Sequence, residues 1–381
     1  MRMRCILQLS TGSFSGPSCK ADEAVKTLEY CMQILDVEKV IFGWAADIAL
    51  NQEISRMLER YPVEKYLWLP VFAEIQDGEG VRQNRSISDR KKQEINTCKG
   101  DAFDFVCQSS RENMAYAEKV FDRLTEGCRM DGVFLDRIRY ASAAGEESAL
   151  YGCWCPDCRD IYRKNGVDTE RVRAMAKEGG LERFKPLARR RSIYRYEDRD
   201  IDRLMETKRQ IIISRVGALC ERFHSRGLKV GADTFAPAIA DFVGQDIDAL
   251  AELVDFVKPM VYIRTDAPAG IPFELRSFGS GIKKRIDELW GRDTGSMEAA
   301  VRQMQELKDR GCAIAPGIDA NRIEGICGAD TAYVKEFLQK LAAAGIDRAV
   351  LSWDIMRIAK ETIEELAEVM PASCKRDRAA I

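Results

Sequence analysis

Along this chain, short runs of aliphatic, β-branched and aromatic residues alternate with longer charged segments. In those segments apolar positions recur every three or four residues. The first run is Cys5-Ile6-Leu7-Gln8-Leu9. In the segment 21–35 that follows, Val25, Leu28, Met32 and Leu35 share one helical face. The pattern repeats. Strand-like runs fall at 39–44, 66–72, 133–136, 229–233, 255–262, 312–319 and 348–354. Helical segments follow them at 51–60, 111–126, 198–226, 247–253, 297–310, 332–344 and 359–369.

Strict alternation of strand and helix implies a parallel sheet. Eight units over this length predict a closed (β/α)₈ TIM barrel, with an open doubly wound sheet as the runner-up. Neither GxGxxG after a strand nor GxxxxGK[ST] occurs, so nucleotide binding lacks its usual signature. The expected organisation is one barrel domain over 1–370, with a charged tail at 371–381. An insertion at 141–197 follows the fourth strand. Polar, turn-rich loops are expected at 75–104 and between Tyr262 and Met297.

Charge and composition narrow the chemistry. With 59 basic and 61 acidic residues the net charge is −2, which gives no footprint for nucleic acid or an anionic membrane. No run reaches the ~18–20 apolar residues of a membrane span. Thirteen cysteines suit a reducing compartment, so a cytoplasmic location is expected. The one histidine, His224, lies on a charged helical stretch and reads as a surface residue. Acid–base work therefore falls on carboxylates, Tyr, Lys or Cys.

In a TIM barrel the chemistry sits at the C-terminal ends of the strands. Those ends read Trp44, Glu74, Asp136, Asp233, Tyr262, Asp319 and Asp354. Paired carboxylates beside the aromatic platforms Trp44, Tyr262 and Trp353 fit sugar chemistry. One acid protonates the leaving oxygen while another stabilises or attacks the oxocarbenium-like centre. Arg137 and Arg139 would balance charge or hold a substrate carboxylate. The rivals are a non-catalytic carbohydrate-binding barrel and a carboxylate-metal lyase or isomerase.

Just beyond the fourth strand stands Cys153-Trp154-Cys155-Pro156-Asp157-Cys158, a C-x-C-x-x-C. Three thiolates at this spacing can converge on one tetrahedral Zn²⁺, and Cys107 is the best fourth ligand. A Cys₄ set leaves no open position, so the zinc would be structural. Free thiols and an iron–sulfur set are the alternatives.

Three stretches together resemble glycoside-hydrolase-like barrel families. They are Cys107-Gln108-Ser109-Ser110, the strand Asp131-Gly132-Val133-Phe134-Leu135-Asp136-Arg137-Ile138-Arg139-Tyr140, and the C-x-C-x-x-C. Ala232-Asp233-Thr234-Phe235 and Asp255-Phe256-Val257-Lys258-Pro259-Met260-Val261-Tyr262 are similar to the fifth and sixth strands of those families. The cysteines also resemble the structural zinc site of one β-galactosidase family. The resemblance implies a TIM barrel acting on carbohydrate. It implies that Asp136 is the nucleophile or stabiliser and Asp233 the general acid. Arg137 departs from the pattern, which has an aromatic or acidic residue there.

Overall fold

The computed structural model describes residues 3–13, 16–73, 80–90, 93–96 and 101–372. Eight parallel strands close a barrel in chain order. They are β1 Arg4–Ser10, β2 Val37–Gly43, β3 Glu64–Pro70, β4 Gly132–Asp136, β5 Lys229–Phe235, β6 Phe256–Met260, β7 Gly317–Asp319 and β8 Arg348–Ser352. Each pairs with the next, and β8 returns to β1. This is the (β/α)₈ barrel that the alternation predicts.

The strands are apolar almost throughout because both faces are covered. Two cores result. Between strands and helices, residues such as Leu7, Val40, Leu67 and Val133 pack with Leu28, Ile54 and Phe121. Inside the barrel a separate cluster holds Ile6, Ile41, Tyr66, Trp68, Phe134, Phe256, Ala315 and Val350. Large rings need space from neighbouring strands. A Cβ on Gly132 would lie 2.4 Å from the Tyr66 ring, and one on Gly231 would lie 2.4 Å from the Phe256 ring. Small residues thus interleave with large ones to fill the interior.

Several outer helices are set by an apolar stripe and a polar cap. Helix Arg111–Leu124 buries Met114, Ala117, Val120, Phe121 and Leu124, and the Ser110 hydroxyl accepts from Asn113 N to close its start. Helix Arg199–Ser225 starts where Asp198 accepts from the amides of Asp200 and Ile201.

Three polar stretches hold more structure than their composition suggests. An antiparallel pair, Gln93–Asn96 with Asp101–Asp104, forms inside the expected loop 75–104. Helices Ile271–Ser277 and Gly279–Trp290 occupy the expected loop after Tyr262. The stretch after β4 contains helices Pro156–Lys164 and Thr169–Glu178 and the hairpin Pro186–Arg190/Ile193–Tyr196. At the other end of the chain, Ala372 N donates to Ile34 O at 3.0 Å, and the expected tail beyond residue 372 lies outside the described residues. Among the described residues no helix is long and apolar enough to cross a membrane, and no cysteine is in a disulfide.

Candidate active site and cysteine cluster

Side chains alternate along a strand, so positions two residues beyond the inner core also face the barrel axis. From Ile6, Phe134, Phe256 and Val350 this step reaches Gln8, Asp136, Lys258 and Ser352; from Gly231 it reaches Asp233. These residues form the layer at the C-terminal mouth. Asp233 pairs in register with Lys258. Leu135 pairs with Ala232, so Asp136 and Asp233 stand one step further on, level with each other on adjacent strands. Neighbouring strands are about 4.8 Å apart, which brings the two carboxylates together.

Asp136 receives two N–H groups. Trp68 Nε1 donates to its Oδ2 at 2.9 Å, and Arg137 N donates to its Oδ1. Arg137 itself adopts a φ of 54°, in the left-handed region. Its guanidinium carbon lies 5.6 Å from the Trp44 ring centroid. Trp44 has a φ of 88° and meets Trp68 edge to face at 4.7 Å. Two non-glycine residues thus hold left-handed backbone side by side at the mouth, the kind of strain that clusters at ligand clamps.

Asp233 is 2% exposed. Lys258 Nζ donates to its Oδ2 at 2.9 Å and to the Tyr262 hydroxyl at 2.8 Å. The Ser352 hydroxyl joins Tyr262 from β8. Asp233 Oδ1 is buried without a hydrogen-bond partner. Burial pushes the Asp233 carboxyl up to about 7; Lys258 opposes this, and the Asp136 charge adds to it. Lys258 and Tyr262 are both held above their ordinary values. Burial disfavours the ammonium, but Asp233 and Tyr262 outweigh it; for Tyr262 burial itself is the main cause. The amide of Gln8 is buried with neither atom bonded.

The remaining strand-end residues serve nearer neighbours. Asp319 accepts from the Tyr333 hydroxyl at 2.5 Å, Arg264 N at 2.6 Å and Thr265 Oγ1 at 2.9 Å, tying β7 to the loop after β6 and to helix Thr331–Ala343. Asp354 caps a short 3₁₀ turn through Met356 N at 3.1 Å, and burial lifts its carboxyl to about 6. Trp353 is half-buried and meets Tyr262 at 5.8 Å between ring centroids. Arg139 is 1% exposed, with its guanidinium carbon 4.5 Å from the Phe235 ring and 5.2 Å from that of Phe105. Glu74 lies outside the described residues. His224 pairs with Asp255 at 3.0 Å. Asp255 precedes β6, so the pair belongs to the opposite end of the barrel from the mouth.

Lys258, Trp68 and Gln8 were not singled out from the sequence. Lys258 brings a lysine to this mouth from within β6. A count of alternate positions from Phe256 would have placed it inside the barrel.

Beside this mouth, Cys107, Cys153, Cys155 and Cys158 bring their sulfurs within 4.8 Å of one another. Cys107 Sγ is 3.6 Å from Cys155 Sγ and 3.5 Å from Cys158 Sγ. Four thiolates around one tetrahedral Zn²⁺ at ~2.3 Å would stand about 3.8 Å apart, so the donor set fits such an ion. Cys107 comes from the segment after β3 and the others from the segment after β4. Among the described residues no second group of three or more His, Cys, Asp or Glu side chains converges in this way.

No protein-family model and no curated protein sequence matches the chain. Solved structures do match in fold. The glycoside hydrolase domain of PgaB (BpsB) from Bordetella bronchiseptica aligns over 98% of this chain and 100% of its own, with TM-score 0.65 and 14% identity. Alpha-L-fucosidase isoenzyme 2 from Paenibacillus thiaminolyticus aligns over 97% of this chain and 49% of its own, with TM-score 0.55 and 10% identity. At these identities the likeness is one of fold: a TIM barrel.

Proposed function

We propose that this barrel hydrolyses a glycosidic bond with Asp136 and Asp233 as the working pair. The observation that carries the reading is the pairing itself: two carboxylates level with each other on adjacent strands, in different environments. Asp136 accepts two neutral N–H groups and is placed to act as nucleophile or stabiliser at the anomeric centre. Asp233, lifted to about 7, retains a proton near neutrality and serves as the general acid. Its unbonded Oδ1 is the atom that would carry that proton. Lys258 fixes the other oxygen and limits how far the carboxyl rises. Trp44, Tyr262 and Trp353 would offer apolar faces to sugar rings, and Arg137 would meet a polar substituent; Asp319, Asp354 and Arg139, committed to neighbouring groups, would support the site from behind. The fold shared with the PgaB glycoside hydrolase domain supports a saccharide substrate.

Cys107, Cys153, Cys155 and Cys158 are proposed to bind a zinc ion. Four soft sulfur donors select it, and a closed set gives it a structural role. It would clamp the segments after β3 and β4, the strands that bring Trp68 and Asp136 to the mouth. A carboxylate-metal lyase has less support, because the mouth carboxylates do not form a ligand cluster among the described residues.

The test is turnover of a panel of aryl glycosides. Cleavage by the parent that disappears in both Asp136→Asn and Asp233→Asn is the expected result. Binding of a saccharide that survives both substitutions, without turnover by the parent, would instead make the protein a carbohydrate-binding barrel.

A further inference from the structure

A second cleft of about 540 Å³ opens between the segment containing Ile87, Ser88 and Asp89 and the helices Pro156–Lys164 and Thr169–Glu178. Arg159 and Arg173 line it together with Lys177. Asp89 is the one acid among its lining residues, which leaves a net charge of +2 on its wall.

Among the described residues the three cations make no ion pair. Other guanidinia on the same two helices do find partners: Arg163 pairs with Asp160 at 3.0 Å, and Arg171 with Asp198 and Asp200. Arg159 Nε is buried without an acceptor. A buried N–H left in that state costs free energy that an incoming acceptor returns. Arg173 lies 6.0 Å from the Trp154 ring centroid, a contact that positions the guanidinium and leaves its charge unneutralised. Like charges gathered around one concavity repel each other and raise the local anion concentration.

We propose that this cleft binds an oxyanion (sulfate, phosphate or carboxylate) carried on a saccharide. The anion part stands on the cleft alone. The saccharide part rests on the function proposed above, together with the cleft's place in the segments after β3 and β4, on the same end of the barrel as Asp136. The cleft would then hold a charged substituent remote from the bond being cleaved, and select acidic glycans over neutral ones.

The experiment is calorimetric titration of the full chain. The probes are inorganic phosphate, inorganic sulfate, a sulfated disaccharide, a galacturonate trimer and, as a neutral control, maltotriose. Arg173→Gln and Lys177→Gln are the variants, because they leave the Cys158 helix untouched. An acidic saccharide should bind more tightly than maltotriose. Each substitution should weaken that binding about tenfold, the worth of one charge-assisted hydrogen bond, and added salt should weaken it further. Equal affinity in the parent and both variants, or no binding of any anion, would overturn the proposal. Binding of the inorganic ions alone, with the same dependence on Arg173 and Lys177, would overturn the saccharide part and keep the anion site. The readout needs no turnover, so a failed glycosidase assay leaves this result interpretable.

Discussion

At Gly317 the barrel omits a side chain, and the Lys258 stem takes up the space. A Cβ at this position would lie 2.3 Å from Lys258 Cε and 2.9 Å from Ser352 Oγ. Gly317→Ala should therefore push the ammonium off Asp233. Crowding of this kind costs about 1–3 kcal/mol, to be read as a lower urea midpoint. Lys258→Met removes the same cation without crowding. Lys258 lowers the Asp233 carboxyl, so its loss should raise that carboxyl above its present value of about 7. If Asp233 is the general acid, the alkaline limb of kcat/KM against pH moves upward in Lys258→Met. A limb that stays in place would remove Asp233 from that role. The sequence hid this residue for a physical reason. Lys258 stands inside Phe256-Val257-Lys258-Pro259-Met260, and a reading of strand ends passes over it to Tyr262. Asp136 and Asp233 were legible because each is an acid that closes or nearly closes an apolar run.

Between elements, two of the contacts that hold the segment after β4 can be tested directly. Helix Gly279–Trp290 was masked by its opening Gly279-Ser280-Gly281, although Ile282, Ile286 and Trp290 recur every four residues and are all buried. Its last residue reaches the hairpin after β4. Trp290 Nε1 donates to the Tyr194 hydroxyl at 2.7 Å, and Arg189 lies 3.7 Å from the indole centroid. Trp290→Ala should cost about 3–5 kcal/mol; thermal unfolding would show the loss, and a drop of under ~1 kcal/mol would mean the hairpin docks without it. The second contact is the cysteine cluster. Metal analysis of the purified parent should return one zinc per chain. Cys155→Ser should lose it and melt at a lower temperature, since removing a structural ligand removes folding free energy. Parent protein that carries no metal and is unaffected by a chelator would leave four free thiols. The C-x-C-x-x-C was plain in the sequence because local spacing encodes it. Cys107 could be matched only through the barrel geometry that joins the segments after β3 and β4.

Across the whole molecule, the barrel was readable because strands covered on both faces lose polar alternation and become apolar runs of the right length. The interior of the stretch after β4 was not readable, because distant residues set it. Arg209 pairs with Asp241 at 2.5 Å while Tyr196 donates to the same carboxylate at 2.7 Å. Buried groups of this kind also fix how stability varies with pH. Asp233 and Asp354 titrate at about 7 and about 6 when folded, against ~4 in an unfolded chain. Between pH 4 and 7 the folded state therefore holds protons that the unfolded chain has released, and stability falls as pH rises. Glu64 acts oppositely at the acid end. Burial works against its charge, yet Lys229 and Lys39 hold it down at about 2, so its contribution is present above ~4 and is lost below. Lys208 has a third window. Burial lowers it to about 7, so from there to ~10 the unfolded chain binds the extra proton and stability rises with pH. The melting temperature should thus peak near pH ~4, pass through a minimum near ~7 and recover above it. Asp233→Asn should flatten the descent and Lys208→Met the recovery. A melting curve that climbs steadily from pH 5 to 7.5 would mean that Asp233 is already ionised in the folded protein, and with it the proton proposed for catalysis would be gone.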